Sequence, residues 1–204
     1  MKVFHIPRIF QKLFPSLIWQ VPTTEKVIYL TFDDGPTTEL TSWITKTLSS
    51  YQAKGTFFCV GDNLQKHPEY LLKLREAGHT VANHSFNHLK GWNTPLQEYI
   101  TNVEKCETLT KNKIFRPPYG RIRFSQIKAL KNLNYKIIMW DIMTYDFDPN
   151  LDVNLSYQKI IAHTKPGSIL VFHDNVKAEH ALKYLLPKLM DYFQSQGYLF
   201  KAIQ

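Results

Sequence analysis

Seven short apolar runs alternate with helical segments along this 204-residue chain, and that alternation is what most limits its fold. The strand-like runs are 26–32, 55–60, 79–83, 113–117, 136–140, 168–173 and 197–203; the helical segments between them are 39–50, 68–77, 95–110, 124–132, 157–163 and 179–196. Strands separated by helices pair in parallel. Closing such a sheet brings the C-terminal ends of its strands to one rim. Seven runs rather than eight predict an α/β fold of the distorted, partly open (β/α)7 barrel type, TIM-barrel-like. A hydrophobic content of 44% is enough for one core, and no internal repeat or linker divides the chain. The expected organisation is a capping segment over 1–25 and a single domain over 26–204.

The chemistry sits where that fold would expose it. Asp33 and Asp34 close the first run and meet Gly35-Pro36, which turns the chain. Adjacent carboxylates repel, so the pair implies a cation or a task, and alternation along a strand lets the two acids work separately. One can hold a metal while the other acts as a base. His84-Ser-Phe-Asn-His88 supplies two imidazoles four residues apart, which a helix would place on one face. With Asp34 they make one carboxylate and two imidazoles, a set that leaves a coordination position open for water. Position 85 is Ser, so this is not a metalloprotease helix. Arg116-Pro-Pro-Tyr119 follows the fourth run, and its prolines stiffen a loop carrying a guanidinium and a backbone N–H suited to an oxyanion. The fifth run leads into Trp140 and then Tyr145, Asp146 and Phe147, and the sixth ends in His173-Asp174.

Thr31-Phe-Asp-Asp-Gly35, His84-Ser-Phe-Asn-His88, Arg116-Pro-Pro-Tyr119, Asp146-Phe147 and Leu170-Val-Phe-His173 together resemble, in order, the motifs of the NodB-like polysaccharide deacetylases, carbohydrate esterase family four. The likeness runs from about Val27 to about His173. It implies a metal-dependent hydrolase removing N-acetyl groups from an amino-sugar poly- or oligosaccharide of the chitin or peptidoglycan type. It further implies Asp33 as base, Asp34, His84 and His88 as metal ligands, Arg116 as the group orienting Asp33, and the Tyr119 N–H in the oxyanion hole. His173 would be the acid and Asp146 its partner. The cofactor is a divalent metal, zinc first, with cobalt, nickel and manganese as alternatives. One departure stands out: Phe147 occupies a position where the family commonly has Trp, which alters the acetyl pocket. Other readings of the same motifs are an amidase on a non-sugar amide and an inactive carbohydrate-binding domain.

The remaining features narrow partners. A net charge of +8 suits an acidic polymer or a membrane surface, but the lysines are scattered as on a solvated face, and no nucleic-acid motif is present. Cys59 and Cys106 belong to no CxxC and read as buried thiols. His5, His67, His79, His163 and His180 take no role, while Trp92, Tyr145 and Phe147 offer aromatic faces for a sugar. Residues 1–19 mix apolar side chains with Lys2, Arg8 and Lys12 without a spanning run or a cleavage site. They read either as a peripheral membrane contact or as a cap on the barrel, and Pro7 and Pro15 favour the cap. Without a leader the expected location is cytoplasmic, which suits a soluble acetylated saccharide better than a wall polymer. The motifs leave the oligomeric state open.

Overall fold

The computed structural model describes residues 2–204; Met1 and the side chain of Arg8, both within the expected capping segment, lie outside the described residues. Among the described residues eight strands form: β1 (Val27–Asp33), β2 (Thr56–Cys59), β3 (Thr80–Asn83), β4 (Ile114–Phe115), β5 (Lys136–Ile137), β6 (Ile142–Met143), β7 (Ile169–His173) and β8 (Leu199–Phe200). The helices are α1 (Arg8–Leu13), α2 (Thr38–Ser50), α3 (Gly61–Lys66), α4 (Pro68–Glu76), α5 (Leu96–Thr110), α6 (Phe124–Asn132), α7 (Val153–His163) and α8 (Glu179–Ser195). Seven strands lie on one curled path, β5-β4-β3-β2-β1-β7-β6, with every pairing parallel, and β8 pairs only with the start of β1. This is the distorted (β/α)7 barrel.

The expected run 136–140 does not stay one strand. Ile138 N–H donates to Phe115 O (2.8 Å) as the chain leaves β4, and the chain then crosses to the other end of the sheet, where Ile142 and Met143 pair with β7. Asp141 at the crossing is fully buried and accepts from Gln20 Nε2 (2.6 Å), Ser168 Oγ (2.8 Å) and Ile169 N–H (2.7 Å). β5 and β6 are therefore the two edges of an open barrel. The N-terminal segment runs along that seam. Ile6 N–H donates to Asp141 O and Phe4 O accepts from Met143 N–H on one edge; Ile18 N–H donates to Ile137 O and Ile18 O accepts from Met139 N–H on the other. Between these contacts α1 leaves Ile9, Phe10 and Leu13 exposed. Among the described residues no helix is long and apolar enough to cross a membrane.

Period-two alternation decides which side chains see the barrel interior. Ile28, Leu30 and Phe32 of β1, Phe57 and Cys59 of β2, and Leu170 and Phe172 of β7 join the core shared with α2 and α8. Phe58, Ile114 and Ile169 belong to a separate cluster with Ile138 and Ile203. By the same alternation Thr31 and Asp33 share the face opposite Phe32, so a carboxylate reaches the interior only at the strand's end.

Candidate active site

Strand register assembles the site. Asp33 pairs with Phe58 on one side and with His173 on the other, so base and acid candidates sit at matched positions of adjacent strands. Arg116 follows the outward Phe115 and turns inward, where it is completely buried. Its Nη1 donates to Asp33 Oδ1 (2.7 Å) and to Thr31 Oγ1 (2.6 Å), its Nη2 to Met139 O (2.8 Å) and its Nε to Ile138 O (3.3 Å). The guanidinium carbon also lies 4.1 Å from the centre of the Phe58 ring. A cation held by so many partners fixes the carboxylate it touches.

Asp34, the next residue, leaves the strand with φ of 79°, which directs its carboxylate to the cleft. His88 Nε2 lies 3.0 Å and His84 Nε2 3.6 Å from Asp34 Oδ1. All three ligand atoms lie within 4.8 Å of one another. Bonds of about 2.0–2.2 Å in a tetrahedral site put ligand atoms roughly 3.3 Å apart, so the donor set and spacing fit a divalent ion. His84 Nδ1 lies 2.8 Å from Arg116 O. With its proton donated there, Nε2 is left as the ligand atom, the usual outer support of a metal-bound imidazole. Burial pushes His84 down to about 4, against the pull of Asp33 and Asp34, so the ring is neutral as a ligand must be. Burial of Asp34 opposes its ionisation, yet the His88 hydrogen bond and the neighbouring imidazoles hold it well below the usual carboxylate range.

The 84–88 stretch is not helical, so the four-residue spacing of the imidazoles does not work through a helix face. Ser85 and His88 have φ of 61° and 56°, so the chain twists through two left-handed positions. Asparagine side chains stabilise this shape: Asn83 Oδ1 accepts from Ser85 N–H (2.8 Å), and Asn102 Oδ1, reaching across from α5, accepts from Phe86 N–H (2.8 Å) and Asn87 N–H (3.0 Å). The imidazoles converge through loop geometry, their ring centres 5.0 Å apart.

His173 Nδ1 lies 2.7 Å from Asp146 Oδ1, and its backbone N–H donates to Asp146 Oδ2 (2.8 Å). Burial would depress this imidazole, but the charge and hydrogen bond of Asp146, followed by the charges of Asp33 and Asp34, raise it to about 9. Phe147 packs edge-on against His173 at 4.8 Å. These groups surround a cleft of ≈ 1160 Å³ lined by Asp33, Asp34, His84, His88, Tyr119 and His173 among others. Tyr119 has φ of 60°, and its ring lies 4.7 Å from that of His88 at a tilt of 55°.

Several contributors have no role assigned from the sequence. Asn175 Nδ2 donates to Asp34 Oδ2 (2.6 Å) and Asn63 Nδ2 to Asp34 O (2.8 Å). Asp174 is buried, accepts from the Thr37 and Thr41 hydroxyls at 2.6 Å each, and is raised by burial to about 6. It presses so closely on the Asp33-Asp34 turn that a Cβ at Gly35 would lie 2.2 Å from its Oδ2, which explains the glycine. Trp140 lines the cleft with a buried, unpartnered Nε1. Of the aromatic candidates, Phe147 lines the cleft, Trp92 is exposed beside it, and Tyr145 is drawn away to the N-terminal segment, where its hydroxyl bonds Val3 N–H and O. His79 is buried and accepts from Gly55 N–H, His5 stacks on His163, and His67 lies beside Glu69; none joins the site. Cys59 and Cys106 are buried free thiols.

Comparison with known proteins agrees with this architecture. Residues 20–138 match the family described as polysaccharide deacetylase. A peptidoglycan-N-acetylglucosamine deacetylase of Bacillus cereus is 30% identical over 194 residues, covering 91% of this chain and 90% of its own. The peptidoglycan-N-acetylmuramic acid deacetylase PdaA of Bacillus subtilis is 29% identical over 194 residues, covering 89% and 71%. Among solved structures, the Bc1960 peptidoglycan N-acetylglucosamine deacetylase superposes with a TM-score of 0.88 at 26% identity, covering 95% of this chain and 94% of that one. The fold and the convergent cluster at its rim therefore define a carbohydrate esterase-type hydrolase. The chain belongs to the polysaccharide deacetylase family.

Proposed function

We propose that this chain removes N-acetyl groups from an amino-sugar polymer, with a peptidoglycan-type glycan as its substrate. The carrying observation is the placement of Asp33 and His173 at paired strand positions beside the three-ligand cluster of Asp34, His84 and His88. A divalent ion bound there, with zinc the first choice, supplies Lewis acidity toward water and the amide oxygen. Asp33, oriented by Arg116, accepts the proton of the attacking water. The Tyr119 N–H donates to the oxyanion as the carbonyl carbon becomes tetrahedral. His173, whose Nδ1 is engaged by Asp146, gives the proton on Nε2 to the departing sugar amine as the C–N bond breaks. The products are acetate and the free amino sugar. The peptidoglycan deacetylases among the relatives support the polymer as substrate.

Acetate release from N-acetylglucosamine oligomers, peptidoglycan fragments and simple amides, after loading with zinc, tests the reading. Acetate from the glycans is the expected result. Turnover of simple amides alone, or of none of these substrates, would reject it. His84→Ala should lose metal and turnover together, and an unchanged metal stoichiometry in that variant would reject the ligand set.

A further inference from the structure

The N-terminal segment closes the barrel seam with its backbone, while α1 turns apolar side chains to water. Ile9, Phe10 and Leu13 are 68%, 54% and 62% exposed, and their spacing of three and four residues sets them on one side of the helix. Phe124, at the start of α6, is 74% exposed, and its ring stacks on that of Phe14 at 5.5 Å. The ends of α1 and α6 thus share one apolar surface. Single exposed apolar residues are ordinary, but a contiguous group calls for a partner. Beside α1 the surface runs into a groove of ≈ 720 Å³ lined by Leu17, Ile18, Trp19 and Ile138, together with Lys12 and Lys136.

The charge around this surface is one-sided. Lysines are spread along the chain, but acids are not: residues 1–24 and 108–140 contain no aspartate or glutamate and carry eleven of the 25 lysines and arginines. These two stretches are neighbours in space. Ile18 exchanges backbone bonds with Ile137 and Met139, and Leu17 packs in one cluster with Ile127 and Leu130. Of the acids that bound the second stretch, Glu107 is paired with Lys113 and Asp141 is fully buried. On α6, Lys128 and Lys131 follow Phe124 at intervals of four and seven residues, on the same side of the helix. Lys12, Lys128, Lys131 and Lys136 are exposed and make no ion pair among the described residues.

We propose that α1 and the start of α6 form a docking surface for an anionic lipid bilayer. Ile9, Phe10, Leu13 and Phe124 enter the boundary between headgroups and acyl chains, while the lysines around them meet the lipid phosphates. No helix among the described residues is long and apolar enough to cross a membrane, so the contact is peripheral. Two arguments single out this occupant. A soluble polyanion would use the lysines but leave the four apolar side chains in water. A second copy of the chain meeting the same face would bring the acid-free stretches together, and like charges would oppose it. The surface includes none of the catalytic or metal-site candidates, so it stands independently of the deacetylase reading.

Flotation of the full chain with lipid vesicles tests the surface. Vesicles of phosphatidylglycerol mixed with phosphatidylcholine should carry the chain, and binding to phosphatidylcholine alone should be at least about tenfold weaker. Added salt should weaken the contact without abolishing it, because the apolar part is unscreened. Phe10→Ser combined with Leu13→Ser should weaken binding to the anionic vesicles by about tenfold or more. Lys128→Glu combined with Lys131→Glu should weaken it on anionic vesicles only. All four positions are exposed, and circular dichroism checks that the fold is kept. Should a variant unfold, a polarity-sensitive dye on Ile9→Cys reads insertion as a blue shift, since both native thiols are buried. Binding to neither vesicle, equal binding to both, or no blue shift would overturn the proposal. Anionic-vesicle binding unchanged in the Phe10→Ser, Leu13→Ser variant, with capture by soluble polyphosphate, would overturn it in favour of a polyanion. A wild-type dimer that this variant turns into a monomer, without vesicle binding, would overturn it in favour of self-association.

Discussion

Arg116–Asp33 and Asp146–His173 are both ion pairs at 2.7 Å at the same rim, yet they are built for opposite purposes. Arg116 is completely buried, its donors fill with Asp33, Thr31 and two carbonyls, and its charge does not change in the working pH range. It can only hold. His173 is partly open to the cleft, and its carboxylate partner moves its titration to about 9, so it carries a proton at neutral pH and can release it. The contrast teaches that one rim can pair a fixed orienting charge with a mobile one, given a guanidinium on one side and an imidazole on the other.

The sharpest break of this contrast is Asp33→Asn, which keeps the shape and removes the proposed proton acceptor. Turnover should fall by about 10²–10⁴-fold with metal retained, as acid–base groups commonly contribute. Near wild-type turnover in a metal-replete assay would make the Arg116 pair mere scaffolding. Arg116→Met strands a buried carboxylate. Urea denaturation should show a loss of about 3–5 kcal/mol, the usual consequence of removing one partner from a buried pair, whereas Asp146→Asn should lose less.

The third test sharpens the mobile side. As the proposed acid, His173 must be protonated, so activity should decline as pH rises through about 9. In Asp146→Asn the lowering by burial remains while the largest contributions raising the imidazole are gone and only those of Asp33 and Asp34 are left, so the alkaline limb of kcat/KM should move to lower pH. An unmoved limb would detach Asp146 from the acid. By linkage, a group raised from 6.5 to about 9 on folding stabilises the protein fully below pH 6.5 and loses that effect as pH climbs through about 9. The smallest effect is expected at Asn175→Ala. Removing the donor to Asp34 Oδ2 should weaken metal binding by about tenfold or somewhat more, read by competition with a chelator.

How legible the molecule was in its sequence depended on the range of the forces involved. The strands β1, β2 and β7 announce themselves because they are apolar runs buried along their length, and the acids and imidazoles beyond them could be placed by strand direction alone. The two-residue strands β5 and β6 are too short to leave a periodic trace, and only the crossing at Asp141 separates them. The His84–His88 loop misleads for a related reason. A four-residue spacing signals a helix, but the left-handed turns at Ser85 and His88 are secured by Asn102, a residue on a helix far along the chain. Asn175 was invisible because an asparagine after His-Asp is ordinary until its amide is seen 2.6 Å from Asp34.

The segment lying along the open side of the barrel has a consequence for solubility. Without residues 2–20, the outer hydrogen-bonding groups of Ile137, Met139, Asp141 and Met143 would face water as bare strand margins, an invitation for like chains to join edge to edge. A truncated chain starting at Val21 should therefore form concentration-dependent assemblies on a sizing column even while its rim stays intact. Residues 2–20 would then act as a built-in guard against self-pairing.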